Sequence, residues 1–305
     1  MRVTLYYITI LLLAAIVQSC ESSQSSGEES WPVSQQFSDY WYQGKAEISS
    51  YKLEQARYGA LNEGSAVLIF VTEDFSQEKH VKLDNPDQAG DDAVKVMKLN
   101  FVKKFDTGIY PYSMMSSVFS PVNMQTYPDA LKVTTSSQEW CGHTFTQLDL
   151  AGNAYDVQLF SYFESEGDQQ LQVENKILED ELWNKIRLNP ADLPTGNIEI
   201  VPGTTYQRLS HDPLKLQTAE ASLEEQGEIS MYTLEYPDLS RTLAIQFNTD
   251  FPHKIISWEE TYPSGFGENK QMLTTTATLD ETIMTDYWTK NTPADSVYRK
   301  ELNLN

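Results

Sequence analysis

The chain has 305 residues, of which 40% are hydrophobic and 11% aromatic, enough for one large folded domain or two smaller ones. Its formal net charge is −22, and so acidic a surface repels phosphate backbones, which argues against nucleic acid as a partner. The composition is that of a globular protein with a sizeable core.

The N-terminus has the three parts of a secretory signal peptide. Arg2 gives a positive start, and residues 3–17 are an apolar run too short to span a bilayer comfortably. Val17 and Ser19 precede Cys20 as in a bacterial lipobox, which predicts a signal peptide over 1–19 and lipidation of Cys20. An ordinary signal peptide with an incidental cysteine is the alternative.

A lipid on Cys20 predicts an exported protein held at a membrane of the cell envelope by its acyl chains. Glu21 stands where an aspartate favours inner-membrane retention in enteric sorting, so the outer membrane is favoured over the inner. Residues 20–30 comprise the lipidated cysteine and a polar stretch, which predicts a disordered tether. Residues 31–305 are then predicted to form a single β-rich domain.

Strand patterns begin at Ala46. Residues 46–58 and 66–75 flank Asn62-Glu63-Gly64, which predicts a hairpin with its turn at 62–64. The run 66–71 is apolar at every position, so we expect a central strand covered on both faces. Further strands are predicted at 94–105, 114–118, 133–135, 144–150, 155–163, 214–221, 229–236, 243–247, 255–262, 272–279 and 297–304.

One amphipathic helix interrupts the strands. In 176–187, Leu178, Leu182 and Ile186 recur every four residues, and Pro190 ends the pattern. The prolines of 189–197 mark a seam, so two smaller β domains meeting there are the alternative to a single one. Many short strands with one helix predict a mainly all-β fold, a large curved antiparallel sheet or partly closed barrel with that helix packed against it.

Two stretches carry residues that could do chemistry. Cys141 and His143 are a candidate nucleophile and base, although spacing so close disfavours a working pair and a structural cysteine is the alternative. The acidic loop 84–92 holds four aspartates that could bind Ca²⁺, although a solvated loop is the simpler interpretation. These four are Asp84, Asp87, Asp91 and Asp92.

Neither zinc-binding spacing nor phosphate-loop nor nucleophile-elbow motifs occur in the sequence, so no cofactor or metal is predicted. We therefore expect a non-enzymatic protein that binds an apolar ligand or an envelope partner protein; a hydrolase using Cys141 or carboxylates is the alternative. If the sheet encloses a pocket, two rows of inward side chains should line it; the alternative, which is favoured, is that these rows pack against each other and leave no space. These rows are Leu243, Ile245 and Phe247, facing Tyr155, Val157 and Leu159.

Five segments of the chain are similar to envelope lipoproteins of Gram-negative bacteria whose function is unknown, namely 42–51, 66–75, 107–115, 136–143 and 285–288. Members of that group often carry the label of the septum formation inhibitor Maf. Maf proteins are shorter α/β nucleotide pyrophosphatases with a Ser-x-Ser-x-Arg-Arg-type start, and this chain has no adjacent arginine pair. The resemblance therefore implies an envelope lipoprotein and carries over no catalytic residue.

Overall fold

A computed structural model describes residues 33–304 of the chain. The predicted signal peptide, the lipidation of Cys20 and the tether 20–30 lie outside these described residues. From Ser34 onward the chain forms one compact unit.

Within the described residues the chain forms sixteen strands and four α-helices, so the mainly β fold is confirmed. The helices are α1 (Gln35–Trp41), α2 (Glu179–Leu188), α3 (Thr204–Ser210) and α4 (Val297–Glu301). The strands are β1 (Ala46–Arg57), β2 (Ala60–Ser76), β3 (Val81–Lys82), β4 (Ala93–Thr107), β5 (Tyr110–Pro121), β6 (Lys132–Glu139), β7 (Gly142–Ala151), β8 (Ala154–Ser161), β9 (Gln169–Glu174), β10 (Ile177–Leu178), β11 (Gly196–Val201), β12 (Gln217–Gln226), β13 (Ile229–Tyr236), β14 (Arg241–Asn248), β15 (Ile255–Ser264) and β16 (Gln271–Thr285).

All sixteen strands belong to one sheet that does not close on itself. Its order is β10-β11-β12-β13-β14-β15-β16-β1-β2-β4-β5-β6-β7-β8-β9, with the short β3 paired to β2. Neighbours along this order are antiparallel, except that β10 and β11 run parallel and make the sheet mixed. Strands β1 and β16 pair near the middle, with Ala46 opposite Thr285.

The two faces of the sheet follow from the alternation of side chains along each strand. We call the face that packs against α2 the inner face and the opposite one the outer face. On β1, Glu47 points to the inner face, where it meets Arg187 of α2. Its neighbours Ala46 and Ile48 therefore point to the outer face.

Helix α2 forms where the sequence predicts it, three residues later at its start. Its first turn carries Glu179, Asp180 and Glu181, and acidic groups there complement the positive end of the helix dipole. Asn184 donates to the carbonyl of Met97 on β4 at 3.1 Å, and Leu182 is fully buried. Helix α2 thus packs against the sheet, in agreement with the prediction.

Two local predictions are wrong. The turn between the first two strands lies at 58–59, and β2 runs straight through 62–64. Gly64 is used instead for close packing, because a Cβ there would overlap the carbonyl oxygen of Lys104. The predicted strand at 297–304 is the helix α4 followed by a short tail. Among the described residues no helix has the length and apolar character needed to cross a membrane.

Candidate functional site: a cavity on the outer face

The outer face of the central strands carries an apolar patch that the end of the chain covers. Ala46 and Ile48 of β1 and Val71 of β2 are buried there against Leu302. We call residues 286–304, which cross this patch, the C-terminal segment. Partly buried side chains complete the cluster, namely Val67, Ile69, Ile283, Tyr287 and Leu304.

The patch and the C-terminal segment do not pack tightly everywhere. Between them lies a cavity of about 380 Å³, which we call the outer cavity. Its floor is formed by side chains of β1, β2, β4 and β16, and its roof by α4 and the residues around it. Small-molecule sites typically have volumes of about 300–1,000 Å³, so the outer cavity is large enough for a compact ligand.

The outer cavity has an apolar floor and a charged margin. Val67, Ile69 and Val102 supply aliphatic surface from adjacent strands. The charged residues of the lining are Lys104, Lys290, Arg299 and Asp295. Such a site suits an amphipathic ligand, because the floor desolvates an apolar chain and the cations attract an anionic head group.

The two lysines differ in how free they are. Lys290 forms an ion pair with Asp286 at 3.0 Å, and the hydrogen bond that it donates to Asp286 raises the pKa of Lys290. Hydrogen bonds from the Thr289 hydroxyl and, to a smaller extent, from Lys290 lower the pKa of Asp286 to about 2. Lys104 is exposed and forms no ion pair with any described residue. Lys104 is therefore the cation most available to a ligand.

Polar and apolar contacts attach the C-terminal segment to the sheet. Asn303 donates to Asp280 of β16 at 3.0 Å, and Leu302 is its buried anchor at 5% exposure. Asp295 accepts from the backbone and hydroxyl of Thr292 and so closes its own turn. Tyr287 and Leu304 also pack against the apolar patch, so apolar contacts hold much of the roof, and local opening around α4 would give a ligand access.

On the inner face, α2 occupies the space where the sequence suggested a pocket. Ring contacts join Trp183 of α2 to Phe101 of β4 and Trp258 of β15 at centroid distances of 5.0 and 5.3 Å. Five of the six side chains predicted to line an inner pocket are buried, namely Leu243, Ile245, Phe247, Tyr155 and Val157. The sixth, Leu159, lines a small cavity of about 80 Å³ beside α3.

Buried ion pairs also fill the inner face. Arg187 of α2 donates two hydrogen bonds to Glu47, at 2.6 and 2.8 Å, with both side chains almost fully buried. Burial works to raise the pKa of Glu47, but the Arg187 guanidinium outweighs it and lowers the pKa. Arg241 of β14 likewise donates to Glu179 of α2, and to Glu260 at 2.7 Å. These pairs tie α2 to two separate regions of the sheet.

Cys141 and His143 are not brought together as a catalytic pair. Cys141 lies in the two-residue turn between β6 and β7 and is exposed. Glu139 raises the pKa of its thiol through a hydrogen bond, which disfavours the thiolate that a nucleophile needs. Among the described residues, no hydrogen bond joins Cys141 to His143, which pairs with Gln138 across the hairpin.

In the acidic loop, Asp92 binds groups at the end of β2 and in the turn that follows it. Asp92 accepts from the Ser76 hydroxyl at 2.7 Å and from the Glu78 backbone at 2.8 Å, and the Ser76 contact lowers its pKa. Asp84, Asp87 and Asp91 are exposed. In the part of the chain that the structure describes, no group of three or more histidine, cysteine or acidic residues could hold a metal ion.

The sequence analysis does not predict the outer cavity, although one sequence feature indicates a covered outer face. The run 66–71 is apolar at every position and was expected to be covered on both faces, and the C-terminal segment is the outer cover.

Comparisons with protein-family models, with curated proteins and with solved structures find no match to this chain.

Proposed function

We propose that this protein is a non-enzymatic, exported lipoprotein of the cell envelope that holds an amphipathic ligand with an acyl chain and an anionic head in the outer cavity. The observation that carries the proposal is the apolar space of about 380 Å³ between the outer sheet face and the C-terminal segment. A cavity of this kind is a common form of small-molecule site.

The chemistry of the lining supports an acyl chain rather than a polar ligand. Val67, Ile69 and Ile283 offer methyl groups with no hydrogen-bonding capacity, so a polar ligand would leave its own groups unsatisfied there. Burial of each methylene is worth about 0.8 kcal/mol, so even part of a chain gives measurable affinity. An exposed Lys104 at the margin complements a carboxylate or phosphate head.

The proposed location is supported by the sequence. The signal-like segment 1–19 and the lipobox ending at Cys20 favour export and lipid anchoring, at the outer membrane rather than the inner. A tethered protein that binds an acyl chain can act as a carrier or a holding site for lipids close to its membrane.

The direct test is binding of palmitate to the chain from Glu21 onward, which contains the whole compact unit. Native mass spectrometry should detect one palmitate per chain, and a fluorescent fatty acid should be displaced by it. Val67→Phe, which places a larger side chain in the floor, should weaken binding by about tenfold or more, a change of about 1.4 kcal/mol. Lys104→Ala should weaken palmitate but not the matching uncharged alcohol.

The matched control is Leu61→Phe, which makes a comparable enlargement on the same strand at a position 48% exposed and outside the cavity lining. It should bind palmitate as the unmodified chain does. A chain that binds no palmitate, or equal weakening by Val67→Phe and Leu61→Phe, would show that the outer cavity is not the site.

A further inference from the structure

A second surface stands out at one edge of the sheet, away from the outer cavity. The turns between β1 and β2, β4 and β5, β6 and β7, and β15 and β16 all lie at this edge, because each joins an antiparallel pair in the same direction. We call this edge the aromatic rim. Its turns expose Tyr58, Ile109, Trp140 and Phe266, with exposures of 38%, 81%, 67% and 60%.

The opposite edge includes the acidic loop 84–92 and the polar turns at 152–153 and 227–228, although it also exposes Tyr42, Val81 and Trp288. Large apolar side chains grouped at neighbouring turns, as at the aromatic rim, are costly to expose unless they contact something. Loops held by a rigid sheet are also a frequent place for binding sites.

A polar cavity of about 260 Å³ opens at the aromatic rim, next to Phe266. We call it the rim cavity. Arg57 and Lys270 contribute two positive charges to its lining, and Asp212 and Asp238 contribute two negative charges. Equal numbers of cations and anions favour a ligand without net charge, because a charged one would meet as much repulsion as attraction.

Arg57 is the most unusual of these groups. Arg57 is only 5% exposed, and no carboxylate of a described residue lies within ion-pair distance of its guanidinium. It donates to the hydroxyls of Tyr58 and Tyr112 at 3.3 Å and to the carbonyl of Leu209, and its Nη2 lies 3.5 Å from the Nε2 of His211. A buried guanidinium with no carboxylate partner retains donor strength for a ligand oxygen.

The other charged groups of the rim cavity are also available. Neither the Asp238 carboxylate nor the Lys270 amine makes a side-chain hydrogen bond or ion pair within residues 33–304. Asp212 accepts one hydrogen bond, from Tyr206 at 3.1 Å, and has lone pairs to spare. The cavity thus offers free acceptors beside free donors, which is the pattern that a hydroxyl group needs, since it donates and accepts at once.

We propose that the rim cavity binds a sugar unit of a neutral carbohydrate, with the exposed rings of the aromatic rim holding the neighbouring units. Sugar hydroxyls pair with Arg57 and Asp238, and the C–H face of a ring packs on Phe266. Tyr110 and Trp140 lie nearly parallel, 25° apart with centroids 6.3 Å from each other, and present a second aromatic surface along the same edge. This site is separate from the outer cavity, and the proposal does not depend on the acyl ligand.

The rim fits a bilayer less well. A membrane surface that carries anionic lipids attracts clustered lysine and arginine, whereas the rim cavity has no excess of positive charge and the whole chain is strongly acidic. A membrane surface is nevertheless the alternative partner for exposed aromatic side chains, so the experiment also measures binding to lipid vesicles.

The test is saturation-transfer NMR of the chain from Glu21 onward with four neutral hexasaccharides, built from glucose in α or β linkage, from mannose and from xylose. At least one should receive magnetisation, and Phe266→Ala and Asp238→Ala should each weaken it about tenfold, equivalent to about 1.4 kcal/mol. The control is Phe160→Ala, which removes a phenylalanine 46% exposed on β8 and outside the rim cavity lining. It should bind as the unmodified chain does.

Absence of transfer to all four sugars at millimolar concentrations would overturn the proposal, as would equal weakening by Phe160→Ala. Sedimentation with vesicles of phosphatidylethanolamine and phosphatidylglycerol supplies the competing result. Vesicle binding that Phe266→Ala abolishes, without sugar binding, would assign the rim to a membrane instead. Palmitate binding, measured in parallel, should be unchanged in Phe266→Ala, so failure of one site is distinguishable from failure of the other.

Discussion

Asp180, in the first turn of α2, should make the stability of the protein depend on pH. The residue is buried and accepts hydrogen bonds from the backbone and hydroxyl of Thr204, at 2.9 and 3.0 Å. Burial, and after it the charge of Glu179, raise its pKa from 3.8 to about 7, against the opposing effects of Thr204 and Arg241. Lys103, which lies on the same inner face, has its own pKa lowered by burial.

The sign of the effect follows from proton binding. Between pH 3.8 and about 7 the folded state holds a proton on Asp180 that the unfolded state has released. The stabilisation from Asp180 is complete below the pKa that this residue has in the unfolded chain. It is lost as the pH rises through the pKa that Asp180 has in the folded chain. Raising the pKa of Asp180 from 3.8 to about 7 corresponds to about 4 kcal/mol of stability.

Asp180→Asn should remove this dependence without disturbing the packing. The amide is neutral at every pH, its oxygen can accept from the Thr204 backbone, and its nitrogen can donate to the Thr204 hydroxyl. That hydroxyl can in turn donate to Thr135, 2.5 Å away. We expect the variant to match the wild type near pH 4 and to exceed its free energy of unfolding by up to about 4 kcal/mol at pH 8.

Urea unfolding from pH 4 to pH 8, with the free energy taken by linear extrapolation, measures the difference. The control is Asp87→Asn, which changes an exposed aspartate of the acidic loop and should leave the pH profile unaltered. The reasoning is refuted if the difference between wild type and Asp180→Asn is constant across this range, or if the variant is the less stable protein at pH 8.

Three further outcomes are expected. Arg187→Met should lower the free energy of unfolding by about 3–5 kcal/mol in urea, because it leaves the carboxylate of Glu47 buried without its partner; a loss below 1 kcal/mol would contradict this. Cys141 should react with iodoacetamide at pH 7 more slowly in the folded chain than after unfolding, and Glu139→Gln should accelerate the folded reaction, since Glu139 raises the pKa of the thiol; fast alkylation of the unmodified chain would instead favour a catalytic cysteine. A clickable fatty acid fed to expressing cells should label the protein at Cys20, and retention of the label by Cys20→Ala would rule out lipidation there.

Much of the sheet could be predicted because strand formation depends on local alternation. The predicted strand 229–236 coincides with β13, and the alternating row of Leu243, Ile245 and Phe247 is buried on β14 as expected. The turn at 62–64 was misplaced because Gly64 reads as a turn residue locally, whereas its role is a close contact with β4 that no local pattern records.

The sites depend on contacts between distant parts of the chain, so the sequence predicts them poorly. The floor of the outer cavity was visible as an apolar run, but its roof is α4, whose residues pattern as a strand. No local pattern marks Trp140, which stands next to Cys141 in the sequence. Its grouping with Tyr58 and Phe266 arises from the order of strands in the sheet, which alternation alone does not determine.

The pairing of β1 with β16 has a consequence for how the chain matures. Strand β1, the first of the described strands to be made, can pair with β2 immediately, but its other neighbour, β16, is made only after every other described strand. Until then β1 is an unprotected edge, open to pairing with other chains, and such distant pairing is slow to form. Loss of the last strand therefore damages the protein at the centre of its sheet rather than at its border. A chain truncated before β16 should aggregate, whereas one shortened only within the C-terminal segment should keep its sheet.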